Sequence, residues 1–158
     1  MAVRKILIEG DETLRKRSRP VEKFDRRLRE LLDDMQETMY KADGAGLAAP
    51  QVGILRRAVV IDVGEGLIEL VNPEIVETSG SQTCAEGCLS IPGRRGMVER
   101  PAVVTVHAFD RYGKPIALTG EDFLAVAVAH ELDHLDGILY IDKMIEDVTD
   151  QNQEETET

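Results

Sequence analysis

From Asp25 onward, apolar residues recur at helical intervals: Leu28, Leu32, Met35 and Met39, with polar and charged residues between them. That period draws one apolar stripe along an amphipathic helix, with Asp25 as its N-cap and Gly44 near its end. A second helix is signalled by the run Phe123-Leu124-Ala125-Val126-Ala127-Val128-Ala129. Thr119 and Asp122 ahead of it fit a capping box, and Gly137 behind it fits a stop. A helix apolar on every side belongs in the interior. Between the two helices, short stretches at 58–63, 67–71, 74–78 and 102–109 have strand character. Asp110-Arg111-Tyr112-Gly113 reads as a hairpin turn into a further strand at 115–118. Two helices among several short strands predict an α+β fold, with antiparallel strands packed around a buried central helix and one N-terminal amphipathic helix beside them.

The chain has 158 residues. That length suits a single domain able to bury about two-thirds of the surface its unfolded chain exposes. The organisation expected is one domain over residues 1–145 and an acidic, disordered tail over 146–158. The longest apolar run is seven residues, against roughly 18 for a membrane helix. Acidic residues follow the first apolar stretch too closely for a signal or transit peptide, and two cysteines do not make a disulfide framework. The expectation is a soluble cytoplasmic monomer with reduced thiols.

Net charge is −11, of which the stretch after Ile145 carries −6, leaving −5 for the body. Ten of the nineteen Lys and Arg residues lie within the first thirty positions, including Arg15-Lys16-Arg17-Ser18-Arg19. With neither a global basic excess nor interleaved aromatics, nucleic acid is not the expected substrate.

The buried helix ends in His130-Glu131-Leu132-Asp133-His134. Histidines four apart share one helical face, so both imidazoles can reach one metal ion. Glu131, next to the first histidine, is placed to handle a proton on water activated by that ion. Two plain surface histidines would not suit a core-facing helix. A third protein ligand is required if a fourth position is to stay open. Cys84, Cys88, His107 and the carboxylates are candidates, and spacing does not choose among them. His107 lies on the face of its strand opposite Val104 and Val106, which suits an outward position.

Three segments together resemble the peptide deformylase family: Gly44-Ala45-Gly46-Leu47-Ala48-Ala49-Pro50-Gln51, Glu86-Gly87-Cys88-Leu89-Ser90, and His130-Glu131-Leu132-Asp133-His134. They occur in the family's order, and Leu14-Arg15, Pro20-Val21, Ile91-Pro92 and Asp110-Arg111-Tyr112-Gly113-Lys114-Pro115 are similar too. The absence of a long insertion between the first two motifs resembles the compact, Gram-negative-type branch. The resemblance implies a metal-dependent hydrolase that removes the N-formyl group from the N-terminal methionine of nascent polypeptides and releases formate. It implies Cys88, His130 and His134 as ligands, Glu131 as acid/base, and Gln51 with the Leu89 N–H as donors to the oxyanion. It implies one divalent ion, iron(II) by preference, with zinc, nickel or cobalt able to replace it; thiolate and imidazole suit all of them.

By the same resemblance the peptide adds as an extra strand, pairing with the backbone around Ala45, Gly46 and Gly87. Arg95 would flank it, while Ala45, Leu89, Phe123, Val126 and Ala127 would line the first side chain's pocket. Glu86 and Arg100 resemble a charge pair that holds the Cys88 segment. Asp133 is a further candidate acceptor for a ligand imidazole. Cys84 matches no functional position. Relatives with a basic C-terminal helix dock at the ribosome, but an acidic tail would oppose such a contact; the basic N-terminal stretch is the alternative.

A zinc endopeptidase is the main rival reading, since His-Glu-x-x-His is also a protease signature. Asp136 is the only acid close behind the helix, and no histidine follows it. A metal-bound but catalytically idle protein would require loss of Glu131, Gln51 or Cys88, and all three are present.

Overall fold

In the computed structural model, residues 2–149 are described, and their order of elements is mixed α and β. Helix α1 spans Arg26–Lys41, and the Asp25 carboxylate accepts from the Leu28 N–H as expected of its cap. Strands follow as β1 (Gly46–Ala48), β2 (Ala58–Ile61), β3 (Ile68–Ser79), β4 (Gln82–Cys88), β5 (Ile91–Arg100), β6 (Val103–Phe109) and β7 (Pro115–Glu121). Helix α2 spans Asp122–Leu135, and a short strand β8 (Glu146–Asp147) comes last.

The strands form two antiparallel sheets, in the orders β1-β2-β3-β6-β7 and β4-β5-β8. In β2 all four residues are buried. Alternate side chains of a strand point to opposite faces. Val59 and Ile61 join Val104, Val106, Ala125, Val128, Leu132 and Leu135 in the core under α2. Ala58 and Val60 join Leu28, Leu32, Met35 and Met39 under α1. The larger sheet is thus covered by one helix on each face. A third cluster, with Leu14, Ile91, Val98, Leu139 and Tyr140, packs beside the smaller sheet.

Several expectations need correction. The stretches at 67–71 and 74–78 are one strand, bent by irregular pairing around Asn72-Pro73. Asn72, at φ 50°, keeps the run tied down by bonding both the N–H and the C=O of Val21. The capping box is not made. Thr119 belongs to β7 and its hydroxyl meets that of Thr105 at 3.2 Å, while Glu121 occupies the cap position without a side-chain bond. Strands β4 and β5 carry Gly, Pro and charge where alternation would be looked for, so the sequence pattern did not announce them. The tail does not begin at 146: Glu146 and Asp147 pair with Met97 and Gly96, and Val148 is buried. Residues 150–158, where the rest of the expected disordered tail falls, lie outside the described residues. No helix among the described residues is long and apolar enough to cross a membrane.

Candidate active site

The C-terminal half of α2 carries three polar side chains into the interior: His130, Glu131 and His134 are all buried. Their helix is anchored at its end by Arg57, which bonds the Leu135 carbonyl at 3.0 Å and pairs with Asp136 at 3.1 Å. Cys88, the last residue of β4, meets them from the smaller sheet. Its sulfur lies 3.3 Å from His134 Nε2, and ligand atoms of Cys88, His130 and His134 all fall within 4.8 Å of one another. Among the described residues this is the metal-competent cluster. Cys84, half-buried with its sulfur near the Ala85 carbonyl, and His107, exposed on β6, stand apart from it.

One bond orients the first histidine. His130 Nδ1 lies 2.8 Å from Glu86 Oε1, which leaves Nε2 for the shared centre. Glu86 is in turn gripped by Arg100 through two bonds of 2.8 and 2.9 Å, and Arg100 also bonds Asp133 at 2.7 Å. The Glu86–Arg100 pair is therefore present, and it serves His130 as well as the β4 backbone. Asp133 is not an acceptor for an imidazole; adjacent helix residues diverge, and its carboxylate faces Arg100 and Lys143. Tyr140 stacks on His130, with ring centroids 6.0 Å apart.

Burial would raise the Glu86 pKa, but Arg100 and His130 outweigh it and hold the carboxylate below its ordinary range. Burial also opposes a charged His130, yet Cys88 and Glu86 hold this imidazole well above its usual value. Only the neutral imidazole ligates, so a metal bound here displaces the His130 proton. Burial and the His130 charge keep His134 well below the usual value, hence neutral, which is the ligating form. The donor set of one thiol and two imidazoles thus fits a divalent transition metal.

Glu131 has its pKa pushed up to about 7 by burial, against the opposing pull of His130. Its Oε1 has no hydrogen-bond partner among the described residues. Gly46 packs directly against it: a Cβ there would lie 2.5 Å from Glu131 Oε2. A side chain at this position would therefore displace the Glu131 carboxylate. Gln51 is buried in a short turn after β1, with Oε1 accepting from the Ala48 N–H at 2.9 Å and Nε2 3.6 Å from the Cys88 sulfur.

These groups face one cavity of about 450 Å³. Its wall includes Ala45, Gly46, Gln51, Gly87, Cys88, Leu89, Arg95, Phe123, Val126, Ala127, His130 and Glu131, so every residue to which the resemblance gives a part in ligation, catalysis or peptide binding, except His134, borders it. His134 lies behind, 1% exposed. β1 and β4 end their respective sheets, and residues at or next to both border the cavity. Arg95 is held by its guanidinium on the Ala85 carbonyl and by its backbone N–H on Thr149. Asp43, Ile91, Gly93 and Arg94 also line the wall and had not been anticipated, nor had Ser90 behind Gln51. For Ser90 the available signal was its place directly after Cys88-Leu89.

Residues 3–150 match the family model described as polypeptide deformylase. The chain belongs to the polypeptide deformylase family. A peptide deformylase of Caldicellulosiruptor bescii is 60% identical over 155 residues, covering 98% of this chain and 93% of the relative. That of Alkaliphilus metalliredigens is 58% identical, covering 93% of this chain and all of the relative. The crystal structure of a peptide deformylase from Legionella pneumophila matches with a TM-score of 0.88 at 50% identity, covering 90% of this chain and 86% of the other. Like the rest of the deformylase family, the protein is a metal-dependent hydrolase that takes the N-formyl group from the N-terminal methionine of newly made polypeptides.

Proposed function

We propose that deformylation in this chain is divided among its residues as follows. Cys88, His130 and His134 hold a divalent ion, iron(II) in the cell, with zinc, nickel or cobalt able to take its place. That ion would supply a nucleophile at neutral pH by lowering the pKa of water from 15.7 to about 7. Glu131 takes the proton of the attacking water and delivers it to the leaving amine. Its buried position and pKa of about 7 suit a group that must both accept and donate near neutrality. Gln51 Nε2 and the Leu89 N–H donate to the formyl oxygen as charge develops on it, each worth roughly 3–4 kcal/mol in comparable sites.

The peptide lies extended between β1 and β4, bonded to the backbone at Ala45, Gly46 and Gly87, with Arg95 alongside. The methionine side chain enters between Leu89, Val126 and Ala127, and Phe123 stands half-exposed at the rim. The observation that carries this reading is that Cys88, His130, Glu131 and Gln51 border one cavity, with His134 directly behind and within ligand distance of Cys88 and His130.

The protein acts as a monomer in the cytoplasm, where formylated chains are made; any docking at the ribosome uses the basic N-terminal stretch, not the acidic tail. The test is formate release from a formyl-Met tripeptide by anaerobically purified protein loaded with iron(II) or nickel. An acetyl-capped peptide runs beside it. Formate without internal cleavage supports the assignment of roles; internal cleavage returns the endopeptidase reading.

A further inference from the structure

A carboxamide has one acceptor oxygen and two N–H donors, so three contacts define its orientation. In Gln51 the oxygen receives the Ala48 N–H at 2.9 Å. Turning the amide over would set its NH₂ against that N–H and leave a buried donor unsatisfied. The amide nitrogen then has two partners, the Ser90 hydroxyl at 3.1 Å and the Cys88 sulfur at 3.6 Å. Ser90 is 0% exposed, so water does not substitute for its oxygen.

The N-terminal segment ties the two backbones that carry this pair. The Leu7 N–H donates to the Gln51 carbonyl and the Glu9 N–H to the Ser90 carbonyl, each at 2.7 Å. Gln51 belongs to the turn after β1, whereas Ser90 lies in the turn between β4 and β5.

We propose that Ser90 is a positioning residue for deformylation: its hydroxyl accepts one amide hydrogen of Gln51 at 3.1 Å, so that the other, in only a long contact of 3.6 Å with the Cys88 sulfur, is the one offered to the formyl oxygen. The backbone of Leu7 and Glu9 holds the two turns at the spacing this needs. The rate consequence rests on the deformylase roles given above; the contact itself does not.

The experiment is a double-mutant cycle on nickel-loaded protein, joined to NMR of the diamagnetic zinc form. Ser90→Ala lowers kcat on a formyl-Met tripeptide about tenfold with KM and metal content unchanged, the size of one lost orienting bond. Gln51→Ala lowers kcat about 10²–10³-fold, and adding Ser90→Ala to it costs less than about twofold more, because the amide to be positioned is gone. A full tenfold loss in the Gln51→Ala background, or an undiminished kcat in Ser90→Ala, overturns the proposal. In the zinc form, the Gln51 side-chain amide protons shift in Ser90→Ala and also in Ser90→Cys, which keeps the volume but accepts poorly. Unmoved amide signals in both variants overturn the contact, even if the wild type proves to release no formate.

Discussion

Two clefts in this molecule rank in opposite order by size and by chemistry. The larger, about 940 Å³, runs between the N-terminal segment and α1, with Arg19, Lys23, Arg27 and Arg56 on its walls and Val21, Leu28 and Ile54 beneath. The smaller, about 450 Å³, holds the cluster of Cys88, His130 and Glu131. All four of those basic side chains in the larger cleft belong to exposed residues, so water and salt screen them. In the smaller cavity Gln51, Glu86, His130 and Glu131 are buried, and Glu86 links His130 to the buried Arg100. Burying such groups has a large desolvation cost, which persists only where their partners are already in place. What marks the site is therefore a satisfied buried network with a few deliberate gaps, such as Glu131 Oε1, and not the volume of a hollow.

This contrast can be broken most directly at Glu131. Glu131→Ala lowers kcat by about 10²–10⁴-fold, with metal content by elemental analysis unchanged; activity near wild type would remove Glu131 from its role. Next in size is Glu86→Gln, which loosens the grip on His130 and leaves Arg100 with Asp133 in place of two carboxylate partners. The expected loss is about 10–100-fold in metal affinity or turnover, typical for a residue that orients a ligand, and titration with a competing chelator measures it.

A smaller effect appears in stability against pH. In metal-free protein the folded state holds the Glu131 proton up to about 7, whereas the unfolded chain releases it near 4.5. Between these values the folded state binds more protons, so stability falls as pH rises through that window and levels off above it. Glu131→Gln removes this slope, as urea unfolding at several pH values would show. Smallest of all, Arg27→Ala and Arg56→Ala in the larger cleft leave kcat/KM within about twofold, as exposed substitutions generally do. A larger loss would show that this cleft takes part in the activity.

Much of this site was legible before any coordinates. His130, Glu131 and His134 are close in sequence, and helical geometry alone brings them to one region. Gln51 and Cys88 came through resemblance, and the cavity contains both. Spacing could not choose Cys88 over Cys84 or His107, because that choice depends on where β4 ends relative to α2. Glu86 was read as a brace for its own strand, and its bond to His130, 44 positions away, was not visible. Ser90 was quoted within its motif but given no role for the same reason, since its partner Gln51 lies 39 positions away.

The hydrophobic pattern by itself determined the two helices, the strands with alternating or unbroken apolar character, and the burial of α2, because those follow from local period and composition. Strands β4 and β5 were decided only by the tertiary structure. Their residues are polar and glycine-rich, and what holds them is pairing with each other and with β8. The boundary of the tail was decided in the same way, by an edge of β5 that Glu146 and Asp147 complete. The reason Gly46 must be glycine also needed the fold, which sets Glu131 against its backbone. Local chemistry is written along the chain, but the orientation of Gln51, the choice of Cys88 and the chain from His130 to Arg100 are contacts across long sequence separations, and only packing brings them together.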